Sequence, residues 1–221
     1  RISSAKNNLL SADMYAQNEE ITLEDKQARR PEIARIYKAY ENRCRKSGAM
    51  DFDDLLFQTH VLLSNFPDVL HYYQQKYRYI LVDEYQDTNY AQYLIIKKLA
   101  AAYENICVVG DDAQSIYSFR GANFRNIMDF PKIFPKAEVH TIEENYRSTQ
   151  PILDLTNQVI NSAKEKYQKE LFTSIASNEK PVFIVPKDKF EQARFICQKV
   201  LELRDEGIEL KDIGVLFRSG F

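Results

Sequence analysis

No apolar run in the 221-residue sequence approaches the roughly 18 residues that cross a membrane, and the first residues contain no signal-peptide core. Cysteine is scarce: Cys44, Cys107 and Cys197 are far apart and lack the spacing of metal ligands. An odd number of isolated cysteines is typical of a reducing compartment. We therefore expect a soluble, cytoplasmic protein whose three thiols lie in the core.

Neither sign of charge is in excess. The 30 basic and 32 acidic side chains give a net charge of −2, so any contact with nucleic acid must be local. The charge varies along the chain, with +3 on residues 1–50, −4 on residues 51–142 and −1 on residues 143–221. Because 44% of the residues are apolar, the chain can bury a core, which excludes disorder.

The N-terminal segment is predicted to be helical. Thr22 resembles a helix cap, and apolar residues with helical spacing follow over positions 33–44, with an end near Gly48. A further helix is predicted after Asp51 or Asp53, either of which can cap it.

The rest of the chain predicts an α/β fold. The apolar runs Tyr79–Val82 and Ile106–Val109 predict two strands with a helix between them. Further strands are predicted at residues 139–142, 182–185 and 213–217. The helices between these later strands should bury two apolar stripes: Ile152, Leu155, Val159 and Ile160 in one, and Ala193, Ile196, Cys197, Val200 and Leu203 in the other.

Two adjacent carboxylates, Asp83 and Glu84, follow the first strand, where open α/β sheets bind ligands. One such carboxylate can hold Mg²⁺ directly or through water, and its neighbour can deprotonate an attacking water during phosphoryl transfer. Acids between a strand and a helix are also common helix caps, so the pair alone leaves a structural interpretation open.

A second polar segment follows the strand Ile106–Val109, so the two strand ends could share one cleft. Gly110 permits a sharp turn, and the uncharged Gln114 could sense a phosphate. The segment therefore extends the hypothesis of a phosphate site.

An aromatic pair, Tyr117 and Phe119, stands beside Arg120 in the same segment. Aromatic faces with a nearby cation suit single-stranded bases. The structural alternative is that both rings lie in the core and that Arg120 pairs with Asp111 or Asp112.

A third segment contains Arg147 at a junction where Ser148 or Thr149 could cap a helix. An arginine supplied across a cleft can stabilise charge on a transferring phosphoryl group. Alone, such a residue is more often part of a surface ion pair.

Four segments occur together and in order: Phe52–Leu55, Val82–Thr88, Val109–Gly121 and Glu144–Ser148. In combination they resemble the motifs of superfamily 1 helicases of the UvrD/Rep/PcrA type. The resemblance covers practically the whole chain. It implies parts of two RecA-like (P-loop NTPase) parallel-sheet domains behind a helical N-terminal segment.

The family's order of domains identifies three parts of the chain. Residues 1–50 correspond to the helical end of accessory subdomain 1B. Residues 51–142 correspond to the C-terminal part of the first motor domain, 1A, and residues 143–221 to the start of the second, 2A.

The resemblance implies ATP and Mg²⁺ as cofactors. Asp83 would coordinate Mg²⁺, Glu84 would activate the hydrolytic water, and Gln114 would sense the γ-phosphate. Arg147 would contact that phosphate from the second motor domain, and Tyr146 would stack on the adenine.

The implied partners are single-stranded DNA and duplex/single-strand junctions. Tyr117, Phe119 and Arg120 would couple the nucleotide site to stacked bases. Phe119 departs from the tryptophan often found there, which reduces the stacking area. The family usually translocates 3′→5′.

The phosphate-binding Walker A loop is absent, because none of the six glycines is followed by Lys-Ser or Lys-Thr. The β- and γ-phosphates then lack their main cradle. The later motifs of the second motor domain are absent too, and the chain begins with Arg1, so we expect an internal fragment of an ATP-driven helicase.

Two other classes of function remain open. A Mg²⁺-dependent nuclease could use a two-metal cluster of acids, although no lysine or histidine base is evident nearby and Gln114 would have no role. The acids of that cluster would be Asp83, Glu84, Asp87, Asp111 and Asp112. A nucleotide-independent module for binding single-stranded DNA or protein could use the aromatic pair and the +3 segment.

The 221-residue chain alone is expected to show no ATPase activity above background, because the phosphate cradle is absent. Steady-state phosphate release with and without Mg²⁺ tests this. Mg²⁺-dependent turnover that Glu84→Gln abolishes would contradict it.

Overall fold

The computed structural model describes residues 1–177 and 179–217, and only the backbone of Arg120. The chain divides into two compact units. The first comprises Arg1–Glu144 and Asn157–Leu171, and the second comprises residues 145–156 and 172–217. Within these described residues, no helix is long and apolar enough to cross a membrane.

The predictions of a helical N-terminal segment and of a helix after Asp51 are confirmed, and a further helix follows before residue 80. The helices of this part of the chain are α1 (Ile2–Asn7), α2 (Ala12–Gln17), α3 (Glu19–Gln27), α4 (Ile33–Lys46), α5 (Phe52–Asn65) and α6 (Pro67–Lys76). Asp51 caps α5, as one of the two predicted alternatives had it, and forms a reciprocal capping box with Asp54. The prediction for Thr22 was wrong: α3 begins earlier because the Asn18 side chain accepts a hydrogen bond from the backbone N–H of Ile21 (3.0 Å).

Two buried tyrosines form the centre of the N-terminal helical core. The rings of Tyr15 and Tyr37 meet edge to face with their centroids 5.9 Å apart. The Tyr15 hydroxyl donates to Asp25 Oδ2 (2.6 Å), and the Tyr37 hydroxyl donates to the Leu10 carbonyl oxygen (2.9 Å). Burial, with help from the Asp25 carboxylate, raises the pKa of Tyr15 to about 12.

A buried lysine joins α1 to the start of α5. Lys6 is 2% exposed, and its Nζ lies 2.7 Å from Asp51 Oδ2 and 2.8 Å from Asp54 Oδ1. Tyr40 donates a further hydrogen bond to Asp51 (2.7 Å). Burial opposes the charge on Lys6, but the two carboxylates outweigh burial and hold the pKa of Lys6 above its ordinary value.

The predicted strand–helix–strand arrangement is confirmed. Strand β1 (Ile80–Val82), helix α7 (Tyr90–Ala100) and strand β2 (Ile106–Val108) follow one another, and the two strands pair in parallel. Residues Ile80 and Val82 on β1 oppose Ile106 and Val108 on β2. All four side chains are half-buried, and Val82, Ile106 and Val108 pack against a core made by the buried residues Tyr85, Ile127 and Phe130.

The other face of the two-stranded sheet is exposed. Leu81 is 79% exposed, and Cys107 opposite it is exposed as well. Cys197 is also exposed and Cys44 is half-buried, so the prediction of three core thiols was wrong. All three are free thiols.

The remaining helices are α8 (Arg125–Met128), α9 (Phe130–Ile133), α10 (Gln150–Asn161) and α11 (Lys189–Asp205). In α10 the predicted stripe was largely wrong: Ile152, Leu155 and Val159 are exposed, while Leu153 and Asn157 are buried. In α11, Ile196, Val200 and Leu203 are half-buried, but Ala193 and Cys197 are exposed.

The three later strands are not formed. Residues 139–142, 182–185 and 213–217 are described as irregular chain, and their large apolar side chains are mostly exposed, as at Phe183 (90%) and Leu216 (99%). A strand requires a neighbour that satisfies its backbone N–H and C=O groups. Among the described residues, none pairs with these segments in a ladder.

Replacing Lys6 with methionine should lower the free energy of unfolding by about 3–5 kcal/mol, because two largely buried carboxylates lose their cation. Denaturant unfolding at pH 7 measures the loss. Lys38→Met is the matched control: Lys38 pairs with Asp13 on the surface (2.6 Å), and its loss should cost less than about 1 kcal/mol. Equal effects of the two variants would contradict the prediction.

Candidate nucleotide site at the ends of the paired strands

The pairing of β1 with β2 continues beyond both strands. The backbone N–H of Val109 donates to the Val82 carbonyl oxygen (2.8 Å), and that of Tyr85 donates to the Val109 carbonyl oxygen (2.9 Å). The residues that follow the two strands therefore lie side by side. The prediction that both polar segments share one cleft is confirmed.

A cleft of about 530 Å³ opens at these strand ends. Its size lies within the range of small-molecule sites. The lining residues are Glu84, Gln86, Asp87, Ala113, Gln114, Ile116 and Tyr117. A second cleft of about 310 Å³ contains Asp83 together with Glu84, Asp87 and Thr88.

Glu84 has a left-handed backbone conformation (φ 49°, ψ 42°), which is uncommon for a residue with a side chain. The Asp83 side chain stabilises this turn, because its Oδ1 accepts a hydrogen bond from the Glu84 N–H (2.9 Å). Neither carboxylate caps the next helix: Asn89 caps α7 through a capping box with Gln92. The capping interpretation of the acid pair was therefore wrong.

Gln86 is 1% exposed and joins the two segments. Its Nε2 donates to Glu84 Oε2 (2.8 Å), and its Oε1 accepts from the backbone N–H of Asp111 (3.0 Å). Gly110 makes room for it, because a Cβ at position 110 would lie 2.5 Å from Gln86 Oε1 and 2.8 Å from Ile127 Cδ1. Position 110 therefore requires glycine, because any larger side chain would collide with Gln86 and Ile127.

Lys169 pairs with both aspartates of the second segment. Its Nζ forms a salt bridge with Asp111 Oδ1 and lies 2.9 Å from Asp112 Oδ1. Gln114 Nε2 donates to the other Asp111 oxygen (2.9 Å), and the backbone N–H of Tyr167 donates to Asp112 Oδ2 (3.1 Å). Asp111 therefore connects Lys169 to Gln114.

In this cluster the opposite charges of Lys169 and the two aspartates stabilise each other's ionised forms. Partial burial opposes ionisation of Asp111, but hydrogen bonds from Lys169 and Gln114 outweigh it and hold the pKa of Asp111 below its ordinary value. Burial also opposes the charge on Lys169, and the two aspartates outweigh it, so the pKa of Lys169 is raised.

The aromatic pair lies outside the core. Tyr117 is 38% exposed and Phe119 is 77% exposed, with their ring centroids 6.0 Å apart. The interpretation of these rings as core aromatics was wrong. The suggested pairing of Arg120 with Asp111 or Asp112 lies outside the described residues, because the side chain of Arg120 is not among them. Asp111 and Asp112 both pair with Lys169.

In the second unit, Asn145 shapes the segment that contains Tyr146 and Arg147. Its Oδ1 accepts hydrogen bonds from the backbone N–H groups of Arg147 (2.9 Å) and Ser148 (2.7 Å). Both Tyr146 (75%) and Arg147 are exposed. No salt bridge of Arg147 occurs within the described residues, which leaves the surface-ion-pair interpretation without support.

The described residues contain no group of three His, Cys, Asp or Glu side chains that could hold a metal by themselves. Mg²⁺ that binds with a nucleotide usually needs only one or two carboxylates, since phosphates and water supply the rest. The exposed Asp83 carboxylate fits this smaller set. Nearby, Asp87 Oδ1 is buried and accepts no hydrogen bond from the described residues.

The same geometry disfavours a two-metal nuclease. The expectation that no lysine lies near the acids was wrong, because Lys169 contacts Asp111 and Asp112. As an ion-pair partner, Lys169 occupies the carboxylates that a second metal would need.

Sequence comparisons agree with the motifs. Residues 1–135 match the UvrD/REP helicase N-terminal domain, and residues 140–220 match the UvrD-like helicase C-terminal domain. The chain belongs to the UvrD-like helicase family. The fold of this UvrD-like chain, mainly helical with a small parallel sheet, is compatible with that assignment.

Curated relatives of the UvrD-like chain carry helicase names. It is 41% identical over 85% of its length to the ATP-dependent DNA helicase PcrA of Staphylococcus aureus (strain NCTC 8325 / PS 47). It is 47% identical over 84% of its length to DNA helicase II of Rickettsia typhi, and 40% identical over 99% to PcrA of Leuconostoc citreum. The chain spans 26–28% of the length of these relatives.

Sequence reasoning missed Gln86 and Lys169. Gln86 stands inside a quoted motif, but nothing in the pattern signals its burial. Lys169 follows Asp111 by 58 residues, and no local spacing connects them.

Lys169→Met should lower the free energy of unfolding by about 2–3 kcal/mol at pH 7, because Asp111 and Asp112 lose their cation. Because the pKa of Asp111 is lower in the folded protein, Asp111 stabilises the fold fully at pH values above its ordinary pKa of 3.8. This stabilisation disappears as the pH falls through the pKa of the folded state. Because the pKa of Lys169 is higher in the folded protein, Lys169 stabilises the fold fully at pH values below its ordinary pKa of 10.5. This stabilisation disappears as the pH rises through the pKa of the folded state.

The free energy of unfolding, measured with denaturant, should therefore differ most between wild type and Lys169→Met between about pH 5 and pH 10. The difference should become smaller outside this range. Lys132→Met, which removes a surface pair with Asp129 (2.6 Å), is the control and should cost less than about 1 kcal/mol. A difference that does not change with pH would contradict the ion-pair explanation.

Proposed function

We propose that the full-length protein carrying this sequence is an ATP-dependent DNA helicase or translocase that moves on single-stranded DNA, 3′→5′. The observation that carries the proposal is that Glu84 and Gln114 line one cleft at the ends of two paired parallel strands. Relatives named as ATP-dependent DNA helicases support it.

The proposed arrangement uses two RecA-like motor domains. Residues 1–50 are the end of accessory subdomain 1B, residues 51–142 belong to motor domain 1A, and residues 143–221 begin motor domain 2A. ATP would bind between the motor domains, so hydrolysis could drive their relative movement.

In the proposed reaction, Glu84 orients the attacking water and accepts its proton. The adjacent Asp83 would hold Mg²⁺, directly or through water, and the ion would neutralise charge on the phosphates. Gln114, tied to Asp111, would hydrogen-bond the γ-phosphate.

The proposal also assigns roles to two residues of the proposed motor domain 2A. Arg147 would stabilise the charge that develops on the transferring phosphoryl group. Tyr146 would stack on the adenine. The exposure of both side chains supports these roles.

The proposed DNA contact consists of Tyr117, Phe119 and Arg120. Two neighbouring exposed rings can stack on successive bases, and the arginine adds a cation. Single-stranded DNA and its junctions with duplex are the proposed partners.

The exposed aromatic pair also supports a second, simpler candidate for the chain by itself. It could bind single-stranded DNA without any effect of nucleotide. Salt-sensitive oligonucleotide binding that ATP leaves unchanged would favour this candidate.

Single-stranded DNA should stimulate ATP hydrolysis by the full-length protein, and the Glu84→Gln and Arg147→Ala variants should each lose at least about 100-fold in kcat. Oligonucleotide binding by both variants should remain, because neither residue belongs to the proposed DNA contact. Steady-state phosphate release and fluorescence anisotropy measure the two properties.

Lys132→Met, a surface variant outside the cleft, is the control and should retain wild-type turnover. Absence of ATPase activity in the wild-type full-length protein would overturn the proposed motor. Loss of DNA binding together with hydrolysis would instead place Glu84 or Arg147 in the DNA contact.

A further inference from the structure

The side-chain amide of Gln86 has only one orientation that satisfies its neighbours. A backbone N–H can only donate, so the Gln86 atom that faces Asp111 N is the oxygen. The NH₂ group must then face Glu84, whose carboxylate can only accept when ionised (2.8 Å). These two contacts determine which atom of the amide is the oxygen and which is the nitrogen.

Burial makes this amide a rigid connection. Gln86 is 1% exposed, so water cannot replace either partner, and a buried amide that lost one would be left unsatisfied. Gly110 closes one side of its pocket, where even a methyl group would collide with the amide oxygen. The buried Ile127 also lies close to Gly110, because its Cδ1 would be 2.8 Å from a Cβ at that position.

Glu84 needs such a connection. Its own carboxylate is exposed at the cleft, and its backbone has the uncommon left-handed conformation. A long, exposed side chain samples many rotamers unless a neighbour restrains it. Gln86 Nε2 donates to one oxygen of Glu84, with a longer contact to Asp87 Oδ2 (3.4 Å), and Glu84 itself lines the cleft.

We propose that Gln86 is a positioning residue: its amide holds the Glu84 carboxylate against the loop that begins at Asp111, so that Glu84 and Gln114 keep a fixed separation in the cleft. This inference rests on the proposed function, because it assigns Gln86 to the same hydrolysis. Gln86 itself does not touch the reacting atoms.

The test uses the full-length protein with single-stranded DNA and compares wild type, Glu84→Gln, Gln86→Met and the double variant. Methionine has similar volume but neither donates nor accepts strongly. Gln86→Met should lower kcat for ATP by about 10–100-fold, the range for residues that orient a reacting group. KM for ATP, and the affinity for a fluorescent non-hydrolysable ATP analogue, should change by less than about 3-fold.

The double variant separates positioning from general destabilisation. If Gln86 acts through Glu84, Gln86→Met should cause no further loss of single-turnover rate in the Glu84→Gln background. Asn126→Ala is the matched control, because Asn126 is also a buried amide (5% exposed) but donates to Thr88 instead of Glu84. It should lower the melting temperature while leaving kcat within about 3-fold.

Two results would overturn the inference while the motor assignment survives: a double variant whose losses multiply, or an Asn126→Ala variant that loses as much kcat as Gln86→Met. If Gln86→Met does not fold, Gln86→Asn, whose shorter side chain cannot reach both Asp111 and Glu84, gives the same comparison. A wild-type protein without ATPase activity would overturn both the proposed function and this inference.

Discussion

The candidate site depends on the parallel backbone pairing that extends past β1 and β2. Val109 donates to Val82 and accepts from Tyr85, so the pairing reaches one residue past β2 and three residues past β1. A shift of β1 by one residue would exchange its two faces and move Asp83 and Glu84 relative to the second segment. Val82, Ile106 and Val108 oppose such a shift, because they pack on the core around Tyr85.

Around this pairing, Asp111, Asp112 and Gln86 have hydrogen-bond or ion-pair partners that are distant in sequence. Lys169 neutralises Asp111 and Asp112, and Gln86 bridges the two strand ends. Such groups stabilise the structure only as complete sets, since each unpaired member in a low-dielectric interior costs more than its hydrogen bond contributes. The site is consequently held by the same contacts that determine local stability.

The sequence predicted the elements whose signals are local. Apolar runs located β1 and β2, and Asp51 marked the start of α5 as one of two possible caps. The prediction that Thr22 caps a helix was wrong because Asn18, an equally good capping residue, precedes it. The predictions of the later strands were wrong because β-branched residues only favour an extended backbone. A strand also needs a hydrogen-bonding partner, which no local pattern specifies. For the same reason, the contacts of Lys169 and Gln86 could be found only from the structure.

The left-handed backbone at Glu84 has a consequence for how this position can change in descendants of the protein. That conformation costs an ordinary side chain about 1 kcal/mol, and glycine or asparagine adopts it more readily. Selection for folding alone would thus favour replacing the carboxylate. A lineage that no longer needs the acid should drift toward Gly or Asn at position 84 and gain stability as it does so.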